Sequence, residues 1–421
     1  MSLSGATTPE RPAATKMPAP SRILGLLLVG LLPLYPLVPR FPLLGPFGTD
    51  DLIPLLVAGA CVLPLLRRRV WRWRLPLLWM LGLFVSIATV AAMATATSGI
   101  GVLTAVVRVP ARFALYAVLF AAVQFCLDGR GRRRLLVALS LVAVFEGAVG
   151  VGAYLFKVQA PGQMGMLHYP AEQMPIDGRA RVQGTFGGAV PHGHPFLNRA
   201  NFYSAYLVVG LGALAALLER RRTRAVVAVG AAFVMGGILV SFTRMSLMAA
   251  VTMGLTLLLL QRRTWRWVVA AALAVTLAVV VVPALRARFS DFNTDRLQQW
   301  RLAARVIAAH PALGVGDGRY LEEAYRLSDG IVVPEVQTPH NSVLYAMASY
   351  GVPAGLALMG VYVCALWLAL VAWRRRRDAV RVALVATVVA FIGHDFTNNL
   401  FFIPEVALVW WLLVAACSGE D

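Results

Sequence analysis

One histidine stands where its ring could act on a substrate. His340 lies in TPHNSVLYAMASYGVPAG, after a long polar stretch and at the start of an apolar run. A histidine titrates near neutrality and can accept a proton from a hydroxyl, so His340 is a candidate general base. A boundary histidine without a role is the equally weighted alternative on residue type alone. Asn341 beside it can cap the following helix or orient the ring.

Four arginines lie where a membrane should penalise them. Arg108, Arg112, Arg199 and Arg244 occur at or just inside the ends of apolar runs. A mid-membrane arginine costs about 2.5–3.5 kcal/mol on insertion scales, so such a residue needs a partner or a function. For Arg244, in SFTRMSL, snorkelling to the boundary is the alternative to binding. Because few acidic residues lie nearby and guanidinium geometry matches phosphate, we expect a cavity that binds a phosphorylated ligand.

Other histidines and the cysteines give weaker signals. His192 and His194, in PHGHP, lack a nearby carboxylate or cysteine, so neither a metal nor another cofactor is predicted. His394 and Asp395 could be a hydrogen-bonded structural pair or could support the site from behind, and the sequence leaves both open. The four cysteines fall within apolar runs and are interpreted as small hydrophobic residues.

The composition indicates the kind of protein fold that positions these residues. Of 421 residues, 59% are apolar and 14% are charged, against about 45–50% and 25% in soluble domains. These values exclude a soluble enzyme and indicate an all-α polytopic membrane protein, a single membrane domain over 1–421. The net charge of +19 comes mostly from short clusters between apolar runs, so it indicates topology and not nucleic-acid binding.

The apolar runs predict about 12 transmembrane helices. They cover 22–38, 50–66, 75–96, 101–126, 135–156, 197–218, 225–242, 245–260, 266–283, 340–372, 379–397 and 400–417. Every second connection carries an arginine cluster, which predicts that these connections and both termini are cytoplasmic. The clusters are Arg67 to Arg74, Arg130 to Arg134, Arg220 to Arg224, Arg262 to Arg266 and Arg374 to Arg381. The polar start lacks a convincing cleavage site, so we expect the first span to be retained.

Two long connections lie on the opposite side, a first periplasmic loop at 157–196 and a large one at 284–339. The second contains an amphipathic segment from about Asp291 to Ala309. One helical face carries Leu297, Trp300, Ala304 and Ile307, and another carries Arg301 and Arg305. We expect this helix at the outer membrane boundary. His310, Pro311 and the following glycines should end it.

Four segments resemble the O-antigen ligase and polymerase superfamily of bacterial inner-membrane glycosyltransferases. They are RVQGTFGGAVPHGHPFLNRANFYSAYL, SFTRMSLM, DRLQQWRLAARVIAAHPALGVGDGRY and TPHNSVLYAMASYGVPAG. The last two, in this order and spacing, are specific to the family. The resemblance is close over about 180–365, although extra residues separate Phe186 from Asn201, and the first five spans agree only in hydropathy.

The resemblance implies a GT-C-like glycosyltransferase with a periplasmic loop subdomain, in the inner membrane of a Gram-negative bacterium. Such an enzyme takes a glycan from undecaprenyl pyrophosphate at the periplasmic face, without metal or sugar nucleotide. By matching positions, His340 would activate the acceptor hydroxyl and Arg244 would bind pyrophosphate. Arg296 and Asn341 match further family positions.

Further candidates come from the charge argument and from the matching segments. The remaining candidate substrate-binding residues are Arg108, Arg112, Arg199, Asn201 and Arg301. An O-antigen ligase, whose acceptor is a hydroxyl of the lipid A-core, is the leading interpretation. The alternatives are an O-antigen polymerase, whose acceptor is another carrier-linked repeat, and a membrane transporter or lipid flippase.

Overall fold

The computed structural model describes most of the chain and leaves several segments undescribed. The described residues are 22–37, 42–44, 47–67, 76–96, 102, 110–155, 199–218, 223–260, 294–316, 318–328 and 338–419. Arg108, the side chain of Arg199, the whole predicted first periplasmic loop at 157–196 and the predicted span 266–283 lie outside this description.

The described residues are almost entirely helical, as a membrane interior requires of backbone that water cannot solvate. A first helical segment consists of α1 (Arg22–Leu26), a π turn (Leu27–Leu31) and a 3-10 turn (Leu32–Leu37). A short antiparallel ribbon of β1 (Pro42–Leu44) and β2 (Phe47–Gly48) follows, which the all-α prediction did not include.

Thirteen further α-helices are described. Their bounds are α2 Thr49–Arg67, α3 Pro76–Thr95, α4 Arg112–Cys126, α5 Gly129–Leu155, α6 Arg199–Ala216, α7 Arg224–Val240, α8 Arg244–Leu260, α9 Thr294–Ala309, α10 Tyr320–Arg326, α11 Ser342–Tyr350, α12 Val352–Arg375, α13 Ala379–Asp395 and α14 Pro404–Ser418. A 3-10 turn, Leu400–Phe402, precedes α14.

The apolar helices confirm a polytopic membrane protein. Among the described residues α3, α5 and α12 are long and apolar enough to cross a membrane, and seven shorter apolar helices accompany them. The count of twelve spans stays a prediction, as does the placement of the termini.

The central helices pack closely because small residues lie where they cross. A Cβ on Gly147 of α5 would lie 2.6 Å from the carbonyl oxygen of Phe233 in α7. Such close approach of backbones is typical of helix packing in membranes, where van der Waals contact replaces the hydrophobic effect. Helix α13 is central and packs against α6, α8, α12 and α14.

The helices run alternately, so each end of the bundle collects one kind of residue. At one end, which we call the His–Arg end, lie the starts of α4, α6, α8, α11 and α12 and the ends of α3, α5, α7 and α13. At the other, the arginine-cluster end, Gln124 of α4 donates to the Ala415 carbonyl of α14 at 2.7 Å. The separation of the two ends agrees with the predicted two-sided charge pattern.

The large loop forms a small subdomain against the His–Arg end. Helix α9 ends at Ala309, and His310 bonds Glu323 of α10 at 2.8 Å, which agrees with its predicted place at a helix end. The buried face of α9 carries Leu302, Ala303 and Val306, which pack with α10 and α11.

The predicted apolar face of α9 coincides only in part with the face that packs against α10 and α11, to which Ile307 belongs. Leu297 is 51% exposed and Ala304 is also exposed, since α9 turns towards its partner helices the face beside the predicted one. Whether the exposed Leu297 meets lipid at the membrane boundary stays a prediction.

One glycine divides the predicted span 340–372 into two helices. Gly351 has φ 87°, a left-handed conformation that glycine adopts without steric cost, and it separates α11 from α12. A Cβ there would lie 2.1 Å from the Ala312 carbonyl oxygen, so the break also admits the turn after α9. This is the kink that the glycines and proline of the segment predict.

Candidate functional site

Arg244 begins α8 directly after a tight turn. The turn places Phe242 at φ 49°, which is uncommon for a residue with a side chain. The Thr243 hydroxyl donates to the Asn201 Oδ1 of α6 at 3.2 Å, and the Thr243 N–H donates to the Ser241 hydroxyl at 3.3 Å. Asn201 thus fixes the turn that aims Arg244, and its side chain is buried.

His340 is held from both sides of its chain segment. The Trp300 Nε1 of α9 donates to the Pro339 carbonyl at 2.9 Å. The Oδ1 of Asn341 accepts from the Leu344 N–H at 3.0 Å as the N-cap of α11, and its Nδ2 donates to the Phe396 carbonyl at 3.1 Å. His340 itself has φ 48°.

Arg296 joins the loop subdomain to the turn after α13. Its guanidinium donates to the Thr397 carbonyl. Burial and, second, the nearby Arg244 guanidinium lower the pKa of Arg296 to about 10. Residues from α8 and α9 that are 52 positions apart in sequence therefore lie close enough to repel each other, as an anion site would require.

The same charges act on the histidine. Burial and, second, the Arg296 guanidinium lower the pKa of His340 to about 4. The ring is consequently neutral at pH 7, which is the form that accepts a proton. Arg244, Arg296 and His340 thus form one electrostatic cluster.

His394 and Asp395 do not pair with each other. The carboxylate of Asp395 accepts from the Ser342 hydroxyl at 2.7 Å, from the Tyr362 hydroxyl at 2.6 Å and from the Phe401 N–H at 2.9 Å. It therefore fixes the start of α11, two residues after His340, from the end of α13. His394 extends in another direction.

A buried polar chain runs from His394 to α6. The His394 Nε2 lies 3.4 Å from the Ser246 hydroxyl, which lies 2.6 Å from the Ser204 hydroxyl. All three side chains are buried, and their contacts connect α13, α8 and α6 close to Arg244. Of the two alternatives that the sequence leaves open, the geometry supports the second.

The other predicted residues are distributed unequally around this cluster. Arg112 begins α4 at the same end, since the ring of its neighbour Phe113 stacks on Phe401 with centroids 4.8 Å apart. Arg199 begins α6, two residues before Asn201. Arg301 is exposed and lies about 140° around α9 from Arg296, so the helix directs the two guanidiniums apart. Arg108 lies outside the described residues.

The turn after α13 holds polar groups that the sequence reading did not select. Asn398 is 1% exposed, and neither its amide nitrogen nor its oxygen has a hydrogen-bond partner among the described residues. The Oδ1 of Asn399 and the Oε1 of Gln299, one turn after Arg296, are in the same state. Because buried polar groups are rarely unpaired, these amides are candidates for contact with a ligand. The sequence signal is the Asn-Asn pair of FTNN, in the short connection after α13.

A buried acidic residue inside the bundle also has no counterpart among the residues that the sequence patterns select. Glu146 of α5 is fully buried, and the Tyr203 hydroxyl of α6 donates to its backbone carbonyl at 2.9 Å. A single acid in a long apolar run gives no partner to look for in sequence.

The described residues hold no group of three or more histidines, cysteines or carboxylates placed to bind a metal ion. All four cysteines are described and none forms a disulfide; three are buried, as their apolar surroundings predict.

These features define a class: a helical membrane protein that gathers arginines and a neutral histidine at one end of its bundle. The family model for O-antigen ligase matches residues 229–359, which include Arg244, Arg296, His340 and Asn341. The match supports placing the chain in the O-antigen ligase and polymerase superfamily. No curated protein matches the chain.

Proposed function

We propose that this protein is an O-antigen ligase that transfers a glycan from undecaprenyl pyrophosphate to a hydroxyl of the lipid A-core. The observation that carries the proposal is the cluster of Arg244, Arg296 and His340, in which two repelling cations lie beside a histidine whose pKa is about 4. Its periplasmic location follows from the charge pattern, and its independence of metal is carried over from the family resemblance.

The arginines suit a pyrophosphate leaving group. A pyrophosphate placed between two guanidiniums that repel each other is attracted by both, and the guanidiniums stabilise the charge that grows as the glycosidic bond breaks. Arg199 and Arg112 begin helices at the same end, and we infer that they extend this surface.

The histidine suits the acceptor. A hydroxyl oxygen of the acceptor sugar attacks the anomeric carbon while its proton passes to the neutral ring of His340. The bond from the anomeric carbon to the pyrophosphate oxygen breaks, and undecaprenyl pyrophosphate leaves with the electron pair. Attack from the face opposite the leaving group inverts the configuration, so retention in the product, measured by NMR, would exclude this single displacement.

The buried amides of Asn398 and Asn399 are placed to bind the sugars of the glycan. Asn398 and Asn399 lie next to Thr397, which accepts from Arg296, so their amide groups are close to the point where the glycan would leave its carrier. Carboxamides donate and accept at once, as sugar hydroxyls require. Asn341, by contrast, has both ends of its side chain occupied and acts by positioning His340.

A polymerase is the second candidate, because the family match does not distinguish a ligase from a polymerase. The chemistry at the anomeric carbon is the same, and only the acceptor differs.

The test uses purified protein, a carrier-linked glycan and lipid A-core, without metal or nucleotide. We expect the wild-type protein to attach the glycan and so raise the mass of the lipid A-core. His340→Ala should lower the rate of this transfer about 10²–10⁴-fold, the usual contribution of a general base. Arg244→Ala should fall comparably. Elongation of the glycan on its carrier would show a polymerase instead, and a fully active His340→Ala would refute the general-base role.

A further inference from the structure

Ser246 lies in the first turn of α8, two residues after Arg244, and its side chain is fully buried. Its hydroxyl lies 2.6 Å from the Ser204 hydroxyl of α6 and 3.4 Å from the Nε2 of His394 at the end of α13. The proposed transfer step does not use this hydroxyl. Since a buried hydroxyl is costly unless it is hydrogen-bonded, these contacts join the helix that begins with Arg244 to two of its neighbours.

The Ser204 hydroxyl determines the direction of these hydrogen bonds. Its oxygen lies 2.7 Å from the carbonyl oxygen of Ala200 and 3.1 Å from that of Asn201, both on its own helix. Two oxygens 2.7 Å apart repel each other unless a hydrogen lies between them, so the single hydrogen of Ser204 is donated to Ala200. Ser204 therefore accepts from Ser246, and the Ser246 oxygen accepts from His394. This direction requires a proton on the Nε2 of His394.

The first turn of α8 is bound to α6 on both sides of Arg244. Before Arg244, the Thr243 hydroxyl donates to the Asn201 Oδ1 at 3.2 Å, and after it the Ser246 hydroxyl donates to Ser204 at 2.6 Å. The two bonded residues are three positions apart on each helix, so they lie on one face and about one turn apart. The shorter distance makes the Ser246 bond the stronger of the two.

His394 extends these links to the second arginine of the site. The Thr397 hydroxyl donates to the His394 carbonyl at 2.8 Å, and the Thr397 carbonyl accepts from the Arg296 guanidinium. Hydrogen bonds therefore connect the helix that begins with Arg244, through His394, to the turn that holds Arg296. A pyrophosphate that binds both guanidiniums depends on their separation, because charge-assisted hydrogen bonds are specific in geometry.

We propose that Ser246 is a positioning residue for the glycan donor, which holds Arg244 at the separation from Arg296 that a pyrophosphate requires. It acts through its hydrogen bonds to Ser204 and His394 and touches no reacting atom. The inference rests on the proposed function, because it assumes that the two arginines bind the pyrophosphate of the donor.

The test uses the full-length protein and the variant Ser246→Ala, which removes both hydrogen bonds. The matched control is Ser140→Ala, a buried serine of α5 whose hydroxyl donates to the Leu136 carbonyl of its own helix at 2.8 Å. The measurements are equilibrium binding of undecaprenyl pyrophosphate, the separate KM values for donor and acceptor, and the thermal midpoint. Binding is also measured for Arg244→Ala with and without Ser246→Ala.

We expect Ser246→Ala to weaken binding of undecaprenyl pyrophosphate about tenfold and to raise the donor KM similarly, because Arg244 is displaced. The acceptor KM should stay unchanged, and Ser140→Ala should leave both KM values in place. When Arg244 is already alanine, Ser246→Ala should weaken binding no further, since residues that act through one another are not additive.

The direction of the chain has its own readout. The amide N–H of His394→Gln can reach the place of the imidazole Nε2–H, whereas His394→Phe keeps a ring and removes the donor. We expect the glutamine variant to bind undecaprenyl pyrophosphate more tightly than the phenylalanine variant. Equal affinities of these two variants would contradict the chain.

Three further results would overturn the positioning role of Ser246. They are unchanged donor binding in Ser246→Ala, an equal loss in Ser140→Ala, and a full further loss when Ser246→Ala is added to Arg244→Ala. In each of these cases the proposed function stands, provided that Arg244→Ala alone weakens binding. Undecaprenyl pyrophosphate binding that is absent from the wild-type protein, or unaffected by Arg244→Ala, would overturn both the role of the arginines and the inference that rests on it.

Discussion

At the residue scale, two side chains occupy backbone conformations that residues other than glycine seldom adopt. Phe242 and His340 have φ 49° and 48°, and each lies within two residues of a helix start that belongs to the candidate site. Such conformations persist only where surrounding contacts hold them. Here those contacts are the Asn201–Thr243 bond and the Trp300–Pro339 bond.

The first prediction concerns pH. A general base must be neutral, so activity is present above the pKa of His340 and is lost as pH falls through it. Since burial and Arg296 lower this pKa to about 4, the acid limb of kcat/KM should lie near 4 and not near the ordinary 6.5. The measurement is the pH profile of kcat/KM for ligation.

The source of the shift can be tested with the same profile. Arg296→Gln removes the second cause, so its acid limb should move upward without reaching 6.5, because burial remains. Arg305→Gln removes a charge from the exposed face of the same helix and should leave the limb in place. An acid limb near 6.5 in wild type would contradict the electrostatic cluster.

A second prediction concerns the amide of Asn398. Asn398→Leu replaces an unpaired buried amide with an apolar group of similar size, so the thermal midpoint should stay level or rise. If the amide binds the glycan, KM for the carrier-linked donor should nevertheless rise, by about tenfold for a lost pair of hydrogen bonds. Unchanged kinetics would remove Asn398 from the site.

At the scale of elements, the site is a set of cross-links among α9, α11 and α13. Trp300 ties α9 to the residue before His340, Arg296 ties α9 to the turn after α13, and Asp395 ties α13 to the start of α11. We expect loss of any one of these links to loosen the geometry of the site.

The third prediction tests one such link. Trp300→Phe keeps most of the ring and removes the N–H that binds the Pro339 carbonyl. We expect kcat to fall about 10- to 100-fold, as small displacements of a catalytic group do, with little change in thermal midpoint. Trp367→Phe, on the exposed face of α12, is the control. A large loss of stability with no change in kcat would show that Trp300 serves only packing.

The fourth prediction concerns Asp395. Asp395→Ala deprives the Ser342 and Tyr362 hydroxyls and the Phe401 N–H of their common acceptor in a buried place. Stability should fall by about 1–3 kcal/mol, the usual cost of unsatisfied buried polar groups. Chemical or thermal unfolding in detergent measures it, and Asp395→Asn should restore part of the loss.

At the scale of the whole molecule, the bundle separates two basic regions. The His–Arg end combines guanidiniums with a histidine and buried amides, and the arginine-cluster end combines guanidiniums with a cavity of about 350 Å³. Helices α6 and α13 reach both, and their 17 or 18 residues span about 26 Å, close to the hydrocarbon thickness of a bilayer.

The fifth prediction tests which end of the bundle faces the periplasm. Ala309→Cys and Arg376→Cys place exposed thiols at opposite ends, while most native thiols are buried. A membrane-impermeant maleimide should label the first in cells whose outer membrane is permeabilised, and the second only after the inner membrane is opened. The reverse pattern would invert the proposed topology.

The order of amino acids is enough to predict the membrane character, the two-sided charge pattern and the segments that bear His340, Arg244 and Arg296. These follow from local properties: apolar length, arginine clusters and short motifs whose meaning does not depend on distant residues. Local propensity also predicted the end of α9 and the break at Gly351.

Which side chains come into contact depends on how the whole chain folds. Trp300 and Pro339 are 39 positions apart, and Arg296 and Thr397 are 101 apart, so no local pattern could pair them. The tertiary structure also sets which face of α9 is buried and places Arg301 on a different face from Arg296. The burial of Asn398 and the arginine-lined cavity are likewise visible only in the folded chain. The pKa of His340 also depends on the tertiary structure, because burial and a neighbouring charge exist only after the chain has brought α9 beside α11.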